Sequence, residues 1–229
     1  MFHLNHMTVD DLIKTCRNWN ACTESLIWLE QQRNHTVEEV LALTPKDWLA
    51  WFATFAIRYW SEERLAPYLD RLIDAVVTSP RQACHAILDW PEERLAPYLD
   101  HLIDAVITDP DWSYYTILNW PKERLAPYLD RLVGAVVTNP KYACYAILDW
   151  PTDRLDPYLD RLVGAVVTSP ERAYYVVLDW PTDRLDPYLD RLVAAVVTSP
   201  QWACYAIRDW PKERLAPYRD RLIDVITTN

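Results

Sequence analysis

Apolar positions along this chain follow a helical rhythm that resets every 30 residues. In PYLDHLIDAVIT (97–108), Tyr98, Leu99, Leu102, Ile103, Val106 and Ile107 fall on one side of a helix, and Asp100, His101 and Asp104 on the other. The preceding stretch, PRQACHAILD (80–89), carries a narrower stripe of Ala83, Ala86 and Ile87, small enough to let a neighbouring helix approach closely. The same two patterns return in order from residues 110, 140, 170 and 200. Each period therefore predicts a helical hairpin: a first helix such as Pro80–Asp89 and a second such as Pro97–Thr108.

Prolines mark where these helices begin. Ser79-Pro80, Asp109-Pro110, Asn139-Pro140, Ser169-Pro170 and Ser199-Pro200 each place a side chain suited to an N-cap before a proline suited to the first helical position. A second mark, Trp-Pro, stands at 90–91, 120–121, 150–151, 180–181 and 210–211. The residue before a proline is pushed out of helical geometry, so the first helix stops there. Two residues further on, Glu93, Glu123, Asp153, Asp183 and Glu213 favour a new helix start. Pro67, Pro97, Pro127, Pro157, Pro187 and Pro217 then mark the start of the second helix. The sequence leaves open whether Pro91–Ala96 forms a separate helical turn or a kinked extension.

Trp60, Trp90, Trp120, Trp150, Trp180 and Trp210 keep the 30-residue step without a slip, and residues 151–170 and 181–200 differ only at Gly164 and Ala194. Such a period signals units that bury their cores against one another. AWFATFAIRYW (50–60) aligns with PRQACHAILDW (80–90), giving six units over 46–229. At the ends, Arg58 and Arg208 replace a leucine found in the inner units, and Arg219 replaces Leu99, as polar terminal repeats require. Thr8-Val-Asp-Asp and Thr36-Val-Glu-Glu have capping-box form, so residues 1–45 read as an N-terminal helical cap. The predicted fold is all-α, a solenoid of six hairpins behind that cap.

Written from its second helix, LAPYLDRLIDAVVTSPRQACHAILDWPEE (65–93) resembles the short HEAT-like repeats, though the tryptophan before Pro91 lies outside their usual pattern. The resemblance implies a binding scaffold. A minority of HEAT-like proteins are enzymes, including base-excising DNA glycosylases and bilin lyases. A second likeness covers WNACTESLIWLEQQRNHTVEEVLALTPKDWLAWF (19–52), which is similar to the leading segment of small bacterial and phage proteins predicted to be toxin-immunity factors. The matching residues are Ala21, Cys22, Trp28, Thr36, Glu39, Asp47, Trp48 and Trp51. That likeness implies an acidic protein that neutralises a toxin or nuclease by covering a basic site.

Composition narrows the function. A formal charge of −10 disfavours sequence-independent binding to nucleic-acid backbones, and with it the glycosylase reading. Only 2 glycines argue against a glycine-rich phosphate loop. An odd set of 5 cysteines, without metal-type spacing, together with no leader-like or membrane-spanning run, predicts a reduced, soluble, cytoplasmic protein. No convergent catalytic set is visible, so the expectation is a non-enzyme without metal or cofactor. His3 and His6 form a lone HxxH, a weak metal signal. The arginines at 64, 94, 124, 154, 184 and 214 and the aspartates at 70, 100, 130, 160, 190 and 220 read as a capping and ion-pair network between units.

Two surfaces are candidates for a protein partner. On the first helix of each unit, Arg81, Trp112, Tyr142 and Trp202 stand where a solvent-facing residue is expected, beside a row of Tyr115, Tyr145, Tyr175 and Tyr205. Aromatic side chains with polar tips are common interface anchors. The alternative is an acidic stripe on the second helix: Glu93, Asp100, Asp104, Asp153, Asp160, Glu213, Asp220 and Asp224. A negative stripe suits a cationic partner.

Overall fold

The computed structural model describes residues 7–228, apart from the side chains at positions 182 and 183. These residues are helical, with no strand among them, and no described helix is long and apolar enough to cross a membrane. They pack as two compact units, Met1–Val106 and Ile107–Asn229. The first holds α1 (Val9–Asn18), α2 (Thr23–Gln31), α3 (Val37–Leu43), α4 (Lys46–Tyr59), α5 (Glu62–Leu65), α6 (Leu69–Val77), α7 (Pro80–Asp89), α8 (Glu92–Leu95) and α9 (Leu99–Val106). The second holds α10 (Pro110–Asn119), α11 (Lys122–Leu125), α12 (Leu129–Val136), α13 (Pro140–Asp149), α14 (Thr152–Leu155) and α15 (Leu159–Val166). It continues with α16 (Pro170–Asp179), α17 (Thr182–Leu185), α18 (Leu189–Val196), α19 (Pro200–Asp209), α20 (Lys212–Leu215) and α21 (Arg219–Thr227).

Both capping boxes form: the Thr8 hydroxyl accepts from the Asp11 N–H at 3.2 Å while the Asp11 carboxylate accepts from the Thr8 N–H at 2.9 Å, and Thr36 and Glu39 repeat the exchange. Ser79, Asp109, Asn139 and Ser169 cap their helices through side-chain oxygens. The Trp-Pro corner resolves the open question about the prolines. Trp150 ends α13 with extended backbone (ψ 143°), and Pro151 stands as N-cap of the separate four-residue helix α14. Pro157 lies inside a 3-10 turn, Asp156–Tyr158, where its missing N–H breaks no α-helical ladder. The second helix therefore starts at Leu159, two residues later than the proline marks it, and the same holds for Leu99. Tyr98 and Leu99 are consequently only half-buried, while Leu102, Ile103 and Val106 are buried fully.

Helices pack in neighbouring pairs: α4 with α6, α7 with α9, α10 with α12, α13 with α15, α16 with α18 and α19 with α21. Within the second unit α10, α13, α16 and α19 also pack in sequence. Trp150, Leu155, Leu162, Val163 and Val166 fill one pair, each less than a tenth exposed. Arginines tie one pair to the next. Arg154 donates to the carbonyls of Ile117 and Leu118, Arg94 to those of Ile57 and Trp60, and Arg214 to those of Val177, Leu178 and Trp180. These are the last carbonyls of a first helix, left without intrahelical donors. Arg184 instead meets Asp156 and Thr152, and Arg64 meets the sulfur of Met7.

Candidate functional site

In the second unit the aromatic residues of the first helices are organised around two tyrosines that the sequence reading did not single out. Tyr114, 6% exposed, has the rings of Tyr115, Tyr142, Tyr145 and Trp150 within 5.3–6.2 Å. Tyr174, 5% exposed, gathers Tyr175, Trp202, Tyr205 and Trp210 in the same way. Each hydroxyl donates to a carboxylate of the following hairpin: Tyr114 to Asp149 at 2.6 Å and Tyr174 to Asp209 at 2.8 Å. Burial, reinforced by Asp209, pushes the Tyr174 hydroxyl up to about 12, and burial with Asp149 raises that of Tyr114. The Arg208 guanidinium and the Tyr174 hydroxyl hold Asp209 down to about 2.

This arrangement corrects the expectation for Trp112, Tyr142 and Trp202. All are half-buried: Tyr142 packs on Tyr114 at 6.2 Å and Trp202 on Tyr174 at 5.3 Å, each a ring of the preceding first helix, while Trp112 lies against Tyr115 of its own helix at 5.8 Å. Tyr115 is the most open of the row at 43% exposed, while Tyr145, Tyr175 and Tyr205 are half-buried. The signal for Tyr114 and Tyr174 was present in the sequence. They alternate with Cys84, Cys144 and Cys204 at one repeat position, so the interface pattern has a 60-residue period. Cys84 and Cys144 are buried, and burial pushes the Cys144 thiol up to about 12.

The acidic residues of the second helices are exposed, but they do not form an uninterrupted negative stripe. Asp160 pairs with Arg191 at 2.9 Å, Asp130 with Arg161 at 2.5 Å, and Asp153 with Lys122 at 2.7 Å. Asp100 and Asp104 also have partners. Glu93, Glu213, Asp220 and Asp224 remain on the surface. The stripe is thus interrupted in its middle repeats, where Asp130 and Asp160 of successive second helices each come into register with an arginine of the next.

Arg81 belongs to the first unit, where it lines a cleft of about 530 Å³. The cleft opens between the cap and the first hairpins, bounded by α1, α2, α3, α4 and the start of α7. Its floor is apolar, with Leu12, Leu29, Val40, Leu41 and Phe52. Its walls carry Trp28, Trp48 and Trp51, all half-buried, with Trp28 and Trp48 edge to face at 6.0 Å. Asp47, Cys22, Ser25 and Gln82 supply polar groups. The residues of the immunity-like segment thus divide into two roles. Cys22, Trp28, Asp47, Trp48 and Trp51 line the cleft, whereas Thr36 and Glu39 make the capping box of α3. A hydrogen bond with Ser25 lowers the exposed Cys22 thiol below its ordinary value, while burial pushes Cys16 up to about 12. Beside the cleft a smaller hollow of about 270 Å³ contains the Arg58–Asp89 ion pair, at 3.2 Å, and His85, whose pKa burial lowers.

Among the described residues no three His, Cys, Asp or Glu side chains gather as metal ligands. His3 and His6 lie outside the described residues. Compared with known proteins, the chain matches no family model, no curated protein and no solved structure.

Proposed function

We propose that this chain is a non-enzymatic repeat protein of the cytoplasm that binds another protein. On this reading the units of 46–229 form a six-hairpin solenoid capped by 1–45, the regular step from Trp60 to Trp210 supporting continuity. The observation that carries the binding role is the register of the second unit. Four first helices packed in sequence present Tyr115, Tyr145, Tyr175 and Tyr205 at one position, all at least partly exposed and in ring contact with buried Tyr114 or Tyr174. Such a row offers rigid, amphipathic contacts at low entropic cost, and many shallow contacts sum over an extended surface. The acidic stripe is the weaker candidate because Asp153 and Asp160 are already engaged by a lysine and an arginine of the chain, and Asp100 and Asp104 also have partners.

The test is capture from the lysate of the source cell, comparing wild type with Tyr115→Ala/Tyr145→Ala/Tyr175→Ala, each confirmed as folded by circular dichroism. A protein retained by wild type and lost by the variant supports the aromatic row. Equal retention by both removes it as the binding surface.

A second reading, an inhibitor that covers the basic site of a toxin or nuclease, is favoured by one observation: immunity-like residues converge on the cleft of the first unit. On that reading partner binding weakens steeply with added salt, which titration at 0.05 and about 0.5 M salt measures directly.

A further inference from the structure

The first unit leaves its cleft lined by three indoles and one carboxylate with no counterpart. Asp47 lies in the first turn of α4, Trp48 follows it, and Trp51 stands one turn further along the same helix. Trp28 closes the cleft from α2. Among the described residues Asp47 has no ion pair and no hydrogen-bonded side chain, unlike Asp130, Asp153 and Asp160 of the repeats. Arg81, the only cation among the lining residues, is itself engaged and not free. Nearby, Ile27 and Leu43 are more than half exposed on the cap, so apolar surface continues outside the cleft.

We propose that this cleft receives an arginine side chain of a protein partner. The guanidinium stacks on the indole faces of Trp28, Trp48 or Trp51, and Asp47 is its counter-ion. Three properties of the protein select that ligand. Indole faces attract cations, and a planar guanidinium can stack on them as well as carry charge. The unpaired carboxylate at the mouth favours a cation over a neutral or anionic group, and the chain's −10 charge draws basic partners toward it. A cleft of about 530 Å³ falls in the range of sites that enclose a small ligand or an anchoring side chain. The inference deepens the protein-binding reading by naming a chemistry for one site, and its test does not depend on capturing any partner.

The probe is Nα-acetyl-arginine amide, titrated into the full ¹⁵N-labelled chain while the indole N–H resonances of Trp28, Trp48 and Trp51 are followed. The control is Nα-acetyl-citrulline amide, which has the same shape without the charge. We expect the arginine probe to shift these resonances with an affinity about tenfold above the citrulline probe. Asp47→Asn should remove most of that difference without changing the fold, and Trp48→Ala should abolish the shifts. Because Trp48→Ala removes part of the cap packing, Asp47→Asn decides if the former unfolds. Equal binding of both probes would reduce the site to an apolar cleft and overturn the proposal. So would shifts confined to other tryptophans, an unchanged preference in Asp47→Asn, or no shift at all.

Discussion

A repeated tryptophan sits where each first helix stops, and its ring is inside the packing. Trp150 is 4% exposed, and its ring lies parallel to that of Tyr114 at a 6.2 Å centroid distance. Truncating a buried aromatic leaves a cavity as well as losing apolar burial. Trp150→Ala should therefore cost about 3–5 kcal/mol, measured by denaturant unfolding. An unchanged midpoint would place the ring outside the core. The tyrosine hydroxyls make a pH prediction. The Tyr174 and Tyr218 hydroxyls are pushed up to about 12, each by burial first and by a neighbouring aspartate second. A raised folded pKa stabilises below the unfolded value near 10, and that contribution is lost as pH climbs toward about 12. Wild type should lose melting temperature between pH 10 and 12, and Tyr174→Phe/Tyr218→Phe should lose less over the same interval. Asp209, held down to about 2, acts in the opposite direction: its contribution is present above about pH 4 and disappears as pH falls toward 2.

Element boundaries depend on side chains that the sequence displays openly. Asn139 accepts from the Lys141 N–H at 3.0 Å, and Asn139→Ala should lower stability by about 1 kcal/mol, read as a shift in the urea midpoint. Pro151 fits its position without strain (φ −57°), so Pro151→Ala should destabilise by about 0.4–1 kcal/mol, mainly by freeing the unfolded chain. An effect several-fold larger would show that the ring packs as part of the core. The starts and stops of the first helices and both capping boxes were legible, because each depends on neighbours within a few residues. The second-helix starts were not. The sequence marks them by Pro97 or Pro157, but the chain there forms a 3-10 turn whose last residue precedes the helix.

At the scale of the whole molecule, the 60-residue alternation of tyrosine and cysteine makes the second unit sensitive to register. Deleting residues 140–169 would set the Tyr174 hairpin against Tyr114, with a tyrosine where Cys144 stands. Deleting 140–199 would bring Cys204 to that place and keep Asp209 as an acceptor for the Tyr114 hydroxyl. We expect the longer deletion to retain a cooperative thermal transition and the shorter one to lower its midpoint further, since overpacking a core costs about 1–3 kcal/mol. The reverse order would show that the two interface types are interchangeable. The inter-repeat ion pairs predict little by comparison. Asp160 and Arg191 are 82% and 46% exposed, and such pairs contribute about 0–1 kcal/mol.

By itself the sequence determined the helical content, the 30-residue unit and the cap motifs, because periodicity and proline chemistry act locally and repeat without error. The candidate site was less legible. Trp112, Tyr142 and Trp202 fall on the outer side of their own helices, yet Tyr142 and Trp202 are partly covered by Tyr114 and Tyr174 of the preceding hairpins. The acidic stripe looked continuous because its arginine partners stand about 30 residues further along the chain. Only the tertiary structure brings Trp28 from α2 to Trp48 and Trp51 of α4, and leaves Asp47 beside them unpaired. Sequence spacing fixes which side of a helix a residue occupies, whereas what lies opposite that side is decided by the packing of helices far apart in the chain.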